Sequence, residues 1–182
     1  MSTSSLRRDH DLIEKVINAM EVTTQLLKEN KKIPKLAITQ VIDFTKNFTD
    51  VCHHSKEENS LFPALEQAGM PRNMGPIAVM LMEHEVSRKI AKRMEDSANT
   101  YFESEDSSKL VSDMVEYIDH IRQHLWKENN RLFMMADMRL QSVSEDVTKK
   151  LVQEEESKLK EIGKTRQHYE NLADNISKQL SD

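Results

Sequence analysis

Histidine and glutamate are the residues of this chain whose spacing could do chemistry. His53 and His54 stand side by side in Cys52-His53-His54-Ser55-Lys56-Glu57-Glu58, so two overlapping His-x-x-x-Glu pairs share one segment. A third pair, His124 and Glu128, lies downstream, with His120 one turn before it. Residues four apart on a helix stack over one another, about 5–6 Å between Cβ atoms. One cation could therefore take the imidazole while the carboxylate a turn away spans to a second cation. Two single histidines complete the pattern. His10 sits on the stripe Leu6, His10, Ile13, Ile17, Met20, Thr24, Leu27, whose steps of three and four mark an inward helix face, and His84 lies in Met82-Glu83-His84-Glu85. Together they supply four nitrogens and two bridging carboxylates, the general scheme of a dinuclear site in a helical core. Imidazole with carboxylate suits iron, manganese or zinc, and a lone cysteine, Cys52, provides no thiolate set. Each part alone has an ordinary explanation, a core histidine or a surface helix contact. The joint pattern over four successive segments points to metal.

The elements that must position these residues are helices. Only three glycines and four prolines interrupt the chain, and period-two runs of β-branched residues are absent. Breaks at Asn30-Lys31-Lys32-Ile33-Pro34, at Ala68 to Pro76, at Glu103 to Ser108 and at Ser142 to Glu145 predict helices over 4–30, 35–68, 77–102, 107–138 and 144–180. Short connections between long helices favour antiparallel neighbours. The expected fold is all-α: an up-down-up-down four-helix bundle over residues 1–140, with an additional charged C-terminal helix over 141–182. That helix carries the stripe Val147, Leu151, Leu159, Ile162, Tyr169, Leu172, Ile176, Leu180, which could pack on the bundle, on a second copy of the chain or on a protein partner.

Composition excludes several classes. The formal charge of −5, with both signs interleaved, leaves no basic stripe for nucleic acid. No apolar run approaches the roughly 18 residues of a membrane span. The N-terminal residues lack an apolar signal core, and one cysteine allows no internal disulfide, so a cytoplasmic location is expected. No nucleophile elbow or phosphate-binding loop is present.

The order His, His-x-x-x-Glu, His, His-x-x-x-Glu over Leu6–Arg139 resembles the hemerythrin-like, or HHE cation-binding, family. Supporting stretches are Lys56-Glu57-Glu58-Asn59-Ser60-Leu61-Phe62-Pro63, Met74-Gly75-Pro76-Ile77 and His124-Leu125-Trp126-Lys127-Glu128-Asn129-Asn130. The resemblance implies a four-helix bundle holding two iron ions, bridged by oxo or hydroxo, with His10, His84, His124 and Glu128 as ligands; manganese or zinc could substitute. In the second helix the family register picks His53 and Glu57, whereas the face defined by Phe44, Phe48, Val51, Leu61 and Leu65 brings His54 and Glu58 nearer the core. The register favours His53/Glu57 and leaves His54 as a core or supporting group. His120 is expected to orient a ligand, or to add a fifth nitrogen, and His168 to face solvent.

A small diatomic or peroxide ligand is the expected partner at the metals. Oxygen-carrying hemerythrins resemble this chain but use a histidine pair one turn apart on the third helix, where Arg88 follows His84 here, and an aspartate in place of Glu128. That departure weakens an O₂-storage reading. It favours binding or sensing of O₂, NO, peroxide or iron and redox state. The alternative is a di-iron oxidoreductase that consumes peroxide or NO or repairs iron centres.

Overall fold

The computed structural model describes residues 1–180, so the last two residues of the predicted C-terminal segment lie outside it. Every regular element among the described residues is helical. Helix α1 is Ser4–Lys28 and α3 is Gly75–Ser104. Helix α2 runs without a break over 35–67, and α4 over 108–139. Helix α1 packs on α2 and α4, and α3 packs on α2 and α4, so the four long helices enclose one interior.

Two of these helices change winding as they pass that interior. In α2, Phe44–His54 and Glu57–Leu61 are π-helical; in α4, Glu128–Leu132 is. Bonds from i to i+5 widen the turn and commonly mark functional sites. Two of the wide turns open on a glutamate of a His-x-x-x-Glu pair, in Glu57-Glu58-Asn59-Ser60-Leu61 and Glu128-Asn129-Asn130-Arg131-Leu132, and each is followed by a fully buried phenylalanine, Phe62 or Phe133.

The predicted single helix over 144–180 is a correction: the segment forms two helices, α5 (Ser144–Glu161) and α6 (Arg166–Gln179). Gly163 adopts φ of 66°, and the amides of Gly163 and Lys164 bond back to the carbonyls of Lys160 and Leu159, closing α5 in a left-handed cap that glycine adopts without a Cβ penalty. The Thr165 side chain then accepts from the His168 amide and starts α6. The predicted apolar positions are used: Val147, Leu151, Leu159, Tyr169, Leu172 and Ile176 are buried, α5 against α1 and the π-wound part of α2, and α6 against α1 and α2.

Apolar side chains collect into two clusters. The larger holds Ile13, Phe48, Ile90 and Ile121, with Tyr169 and Ile176 from α6. The smaller holds Leu6, Leu61, Phe62, Met80, Leu132 and Phe133, with Val147 and Leu151 from α5. On each long helix the histidines and glutamates fall in sequence between residues of the two: His10 between Leu6 and Ile13, His84 between Met80 and Ile90, Glu128 between Leu125 and Leu132. A polar layer sealed between two apolar ones is costly unless every group in it finds a partner.

Candidate metal centre

Five imidazoles and two carboxylates, from all four long helices, form that layer. His10 is 3% exposed; His53, His54, Glu57, His84, His124 and Glu128 are fully buried. His10, His53, Glu57 and Glu128 bring one ligand atom each within 4.8 Å of one another, and so do Glu57, His84, His124 and Glu128. His54, His84 and His124 form a third such group. Metal–ligand bonds of about 2.0–2.2 Å put donor atoms about 3–4.3 Å apart, in keeping with these groupings. Glu57 and Glu128 belong to both four-residue groups, as two bridging carboxylates would.

The five rings are oriented alike. Each presents Nδ1 to an oxygen: His53 to Asp9 at 3.2 Å, His54 to Asp50 at 3.2 Å, His84 to Glu58 at 2.7 Å, His124 to Glu83 at 3.0 Å and His10 to Asn129 at 2.9 Å. An acceptor at Nδ1 makes that nitrogen the N–H and leaves the lone pair on Nε2, pointing inward, the tautomer that a metal ligand needs. Cations hold the acceptors in turn. Arg88 donates to both Asp50 and Glu58, Lys127 to Glu83, Arg7 to Asn129, and Lys56 and Arg166 pair with Asp9. Arg88 thus steadies the partners of His54 and His84 from the position where oxygen carriers place a histidine.

Inside the layer, partners are missing. His54 Nε2, His84 Nε2, His124 Nε2 and both oxygens of Glu57 and Glu128 have no hydrogen bond. His10 Nε2 faces His53 Nε2 at 3.2 Å, two lone pairs opposed unless a proton or cation lies between. Other approaches are ion-pair distances: Glu128 to His10 at 3.2 Å and to His124 at 3.3 Å, Glu57 to His84 at 3.3 Å. Burial and the neighbouring charge of Glu128 push Glu57 up to about 8. Burial would raise Glu128 too, but His124, His10 and His84 hold it well below the usual carboxylate range. Burial lowers His53 to about 4 despite its bond to Asp9, so its ring is neutral. Burial likewise lowers His54 and His124, whereas the carboxylates raise His10 and His84 against burial. Imidazoles and orphaned carboxylates that share protons in a dry enclosure are a donor set from which cations can displace those protons.

The two readings of α2 are reconciled by its winding. Face counting assumes 3.6 residues per turn, and the wide turns over Phe44–His54 let consecutive Cys52, His53 and His54 all be buried while Val51 turns partly outward. Glu57 then enters the layer, and Glu58 serves His84 from outside it. His120 stays apart from the groupings, donating Nε2–H to the Glu83 carbonyl at 2.9 Å. His168 is half-buried on α6, its ring against Tyr169. Sequence reasoning passed over Asp9, Asp50, Glu83 and Lys56. One of them carried a legible signal: Asp50 lies one helical turn before His54, the ring it accepts from.

Phenylalanines back the lone histidines in a paired fashion. Phe133 stacks on His10 at 5.1 Å and Phe62 on His84 at 5.9 Å. From solvent, a cleft of about 390 Å³ between α2 and α3, lined by Asp50, Ser87, Arg88 and Tyr117, reaches His54.

Residues 1–136 match the hemerythrin HHE cation binding domain. The iron-sulfur cluster repair protein YtfE of Escherichia coli O1:K1 / APEC is 31% identical over 88 residues, which cover 46% of this chain and 40% of that protein. The protein of the same name from Escherichia fergusonii matches to the same extent. The chain therefore matches well under half the length of these curated relatives. No solved structure matches it.

Proposed function

The chain belongs to the hemerythrin HHE cation-binding family, and we propose that it holds two iron ions and uses them to bind or sense a small ligand such as O₂, NO or peroxide. The four long helices are read as an up-down-up-down bundle around this centre. His10 and His53 would hold one ion, His54, His84 and His124 the other, and Glu57 and Glu128 would bridge them. The observation that carries the reading is the convergence of His10, His53, His84 and His124 on two buried carboxylates without a hydrogen bond, with His54 beside His84 and His124. When bound, the iron pair supplies open coordination positions and a change of oxidation state. The protein's own part is to fix the tautomers, exclude bulk water through the two apolar clusters and admit small molecules past Arg88. The His10/His53 position has one imidazole fewer and so more room for an exogenous ligand.

A second reading, an oxidoreductase or a protein that repairs iron centres in others, draws on the printed name of the YtfE relatives. Among the described residues no side chain stands free in the layer to shuttle protons apart from these histidines and carboxylates, which favours binding and sensing over turnover.

The test is metal content per chain together with the ultraviolet and visible spectrum before and after O₂, NO and peroxide. Two irons and a charge-transfer band that responds to these ligands are expected. Less than one metal per chain after anaerobic loading in excess ferrous iron would end the proposal. Uptake should release protons, because Glu57 is raised to about 8 and His10 and His84 are raised by the same carboxylates against the pull of burial. Affinity should therefore climb between pH 6 and 8, about tenfold per pH unit for each proton displaced.

Alanine at His54 separates the winding-based ligand set from the one read by register alone. His54→Ala is expected to lose the ion on the His84/His124 side, whereas His120→Ala should keep both. Two ions retained in the His54 variant would return that residue to a supporting role.

A further inference from the structure

Helices α5 and α6 lie beyond the family-matched residues 1–136, yet they reach the polar layer. Glu155 on α5 and Arg166 on α6 close a ring of four charges with Asp9 on α1 and Lys56 on α2. Lys56 Nζ lies 2.5 Å from Asp9 Oδ2 and 2.5 Å from Glu155 Oε2, and Arg166 donates to Asp9 Oδ1 at 2.7 Å and to Glu155 Oε1 at 3.1 Å. Asp9 and Lys56 are fully buried, and the side chains of Glu155 and Arg166 are only 15% and 22% exposed. Asp9 Oδ2 is also the acceptor for His53 Nδ1–H. Through Asp9 the ring thus bears on a histidine of the layer, while Arg166 also donates to Glu170 on α6 at 3.1 Å. A fully buried lysine is rare unless paired, and here half of its pairing comes from the C-terminal hairpin.

We propose that this hairpin is a positioning element of the metal centre, in which Glu155 and Arg166 set how strongly Asp9 draws on the His53 proton and hence how strongly His53 donates to its metal. The inference rests on the di-iron reading for its metal half, whereas the ring and its bond to His53 stand without it. Partners of metal-bound imidazoles tune ligand basicity. With both cations on Asp9, the carboxylate is a restrained acceptor and His53 a plain neutral imidazole. Loss of Arg166 frees Asp9 to pull harder on the N–H, making His53 the richer donor and favouring the oxidised metal. Loss of the Glu155 charge turns Lys56, and the Arg166 Nη1 that Glu155 shared, onto Asp9 and does the reverse.

The two changes therefore act with opposite signs, which a merely structural role would not produce. The experiment compares the full-length parent with Glu155→Gln, Arg166→Gln and the charge-keeping Arg166→Lys. Two readouts are taken: the midpoint potential of the iron-loaded chain, and the imidazole ¹⁵N shifts of His53 in the metal-free chain at one pH. Glu155→Gln is expected to raise the potential and Arg166→Gln to lower it. Each should change the redox equilibrium about tenfold, about 59 mV for one electron. Metal content should stay unchanged, His53 Nδ1 should shift in opposite directions, and Arg166→Lys should return both readouts to the parent values. Shifts of the same sign in both variants, or none in either readout, would overturn the inference. If the parent fails to load two irons while the His53 shifts still move oppositely, the di-iron reading falls and the hairpin's hold on His53 stands.

Discussion

A Glu128→Ala chain is expected to leave iron loading with one ion or none, where the parent holds two. Glu128 Oε2 lies 3.2 Å from His10 Nε2 and Oε1 lies 3.3 Å from His124 Nε2, so this one side chain reaches both halves of the layer. Glu57 is the other carboxylate of the groupings among the described residues, so its removal should act alike. Alanine takes an anionic donor from both cation positions at once, a larger loss than removing a histidine, which serves one. The consequence for stability follows from linkage. A ligand that binds only the folded chain at 100 times its Kd stabilises it by about 2.7 kcal/mol. In a chain of this size each kcal/mol moves the melting temperature by about 2–4 °C. The loaded variant should therefore melt roughly 5–10 °C below the loaded parent for each ion lost, on the same constants. Metal analysis and a melting curve on one preparation check both halves, and two ions retained in either variant would refute the bridging role.

The second large effect is on the fold itself. Lys56→Met is expected to destabilise the chain by about 3–5 kcal/mol, the usual result of removing one partner from a buried ion pair and leaving the other charge behind. Asp9 would keep Arg166 and His53, which places the expectation toward the lower end, a melting point on the order of 10 °C down. Lys56→Met with Glu155→Gln leaves a single Asp9–Arg166 pair and no unmatched charge, and should recover more than half of the loss. The pH dependence has a definite sign. Burial opposes the ionised form of Asp9, but the bond from His53 and the charge of Lys56 hold its carboxyl well below the ordinary range. A carboxyl so depressed contributes its full stability above the ordinary value of about 3.9 and loses it as pH falls toward the native one. Lys56→Met lets that native value rise, so acid unfolding should begin at higher pH. A variant melting within two degrees of the parent, with the same acid midpoint, would show that the buried lysine is dispensable.

Much of this molecule is written in local spacing. The steps of three and four that put His10 among Leu6, Ile13 and Ile17 describe a face that is buried as expected. Proline, glycine and polar capping residues located the ends of the four long helices to within three residues, because a backbone that cannot continue a helix, or a side chain that caps one, announces it locally. The histidine and glutamate spacing announced a place for metals, since stacking one turn apart needs nothing beyond the helix.

Three features waited for the tertiary structure. Both His53 and His54 are buried in the layer because α2 winds wide where it passes the other helices, and a count at 3.6 residues per turn has no access to a change of winding. The break at Gly163 was hidden in a charged run whose apolar stripe continues on either side of it; the fold back onto α1 and α2 made the two stripes into two helices. Asp9 and Arg166 are 157 residues apart, and nothing near either one reveals the other. Periodicity reports which face a side chain takes along a regular helix. Which distant charge it meets, and where packing bends the winding itself, is decided only when the helices close on one another.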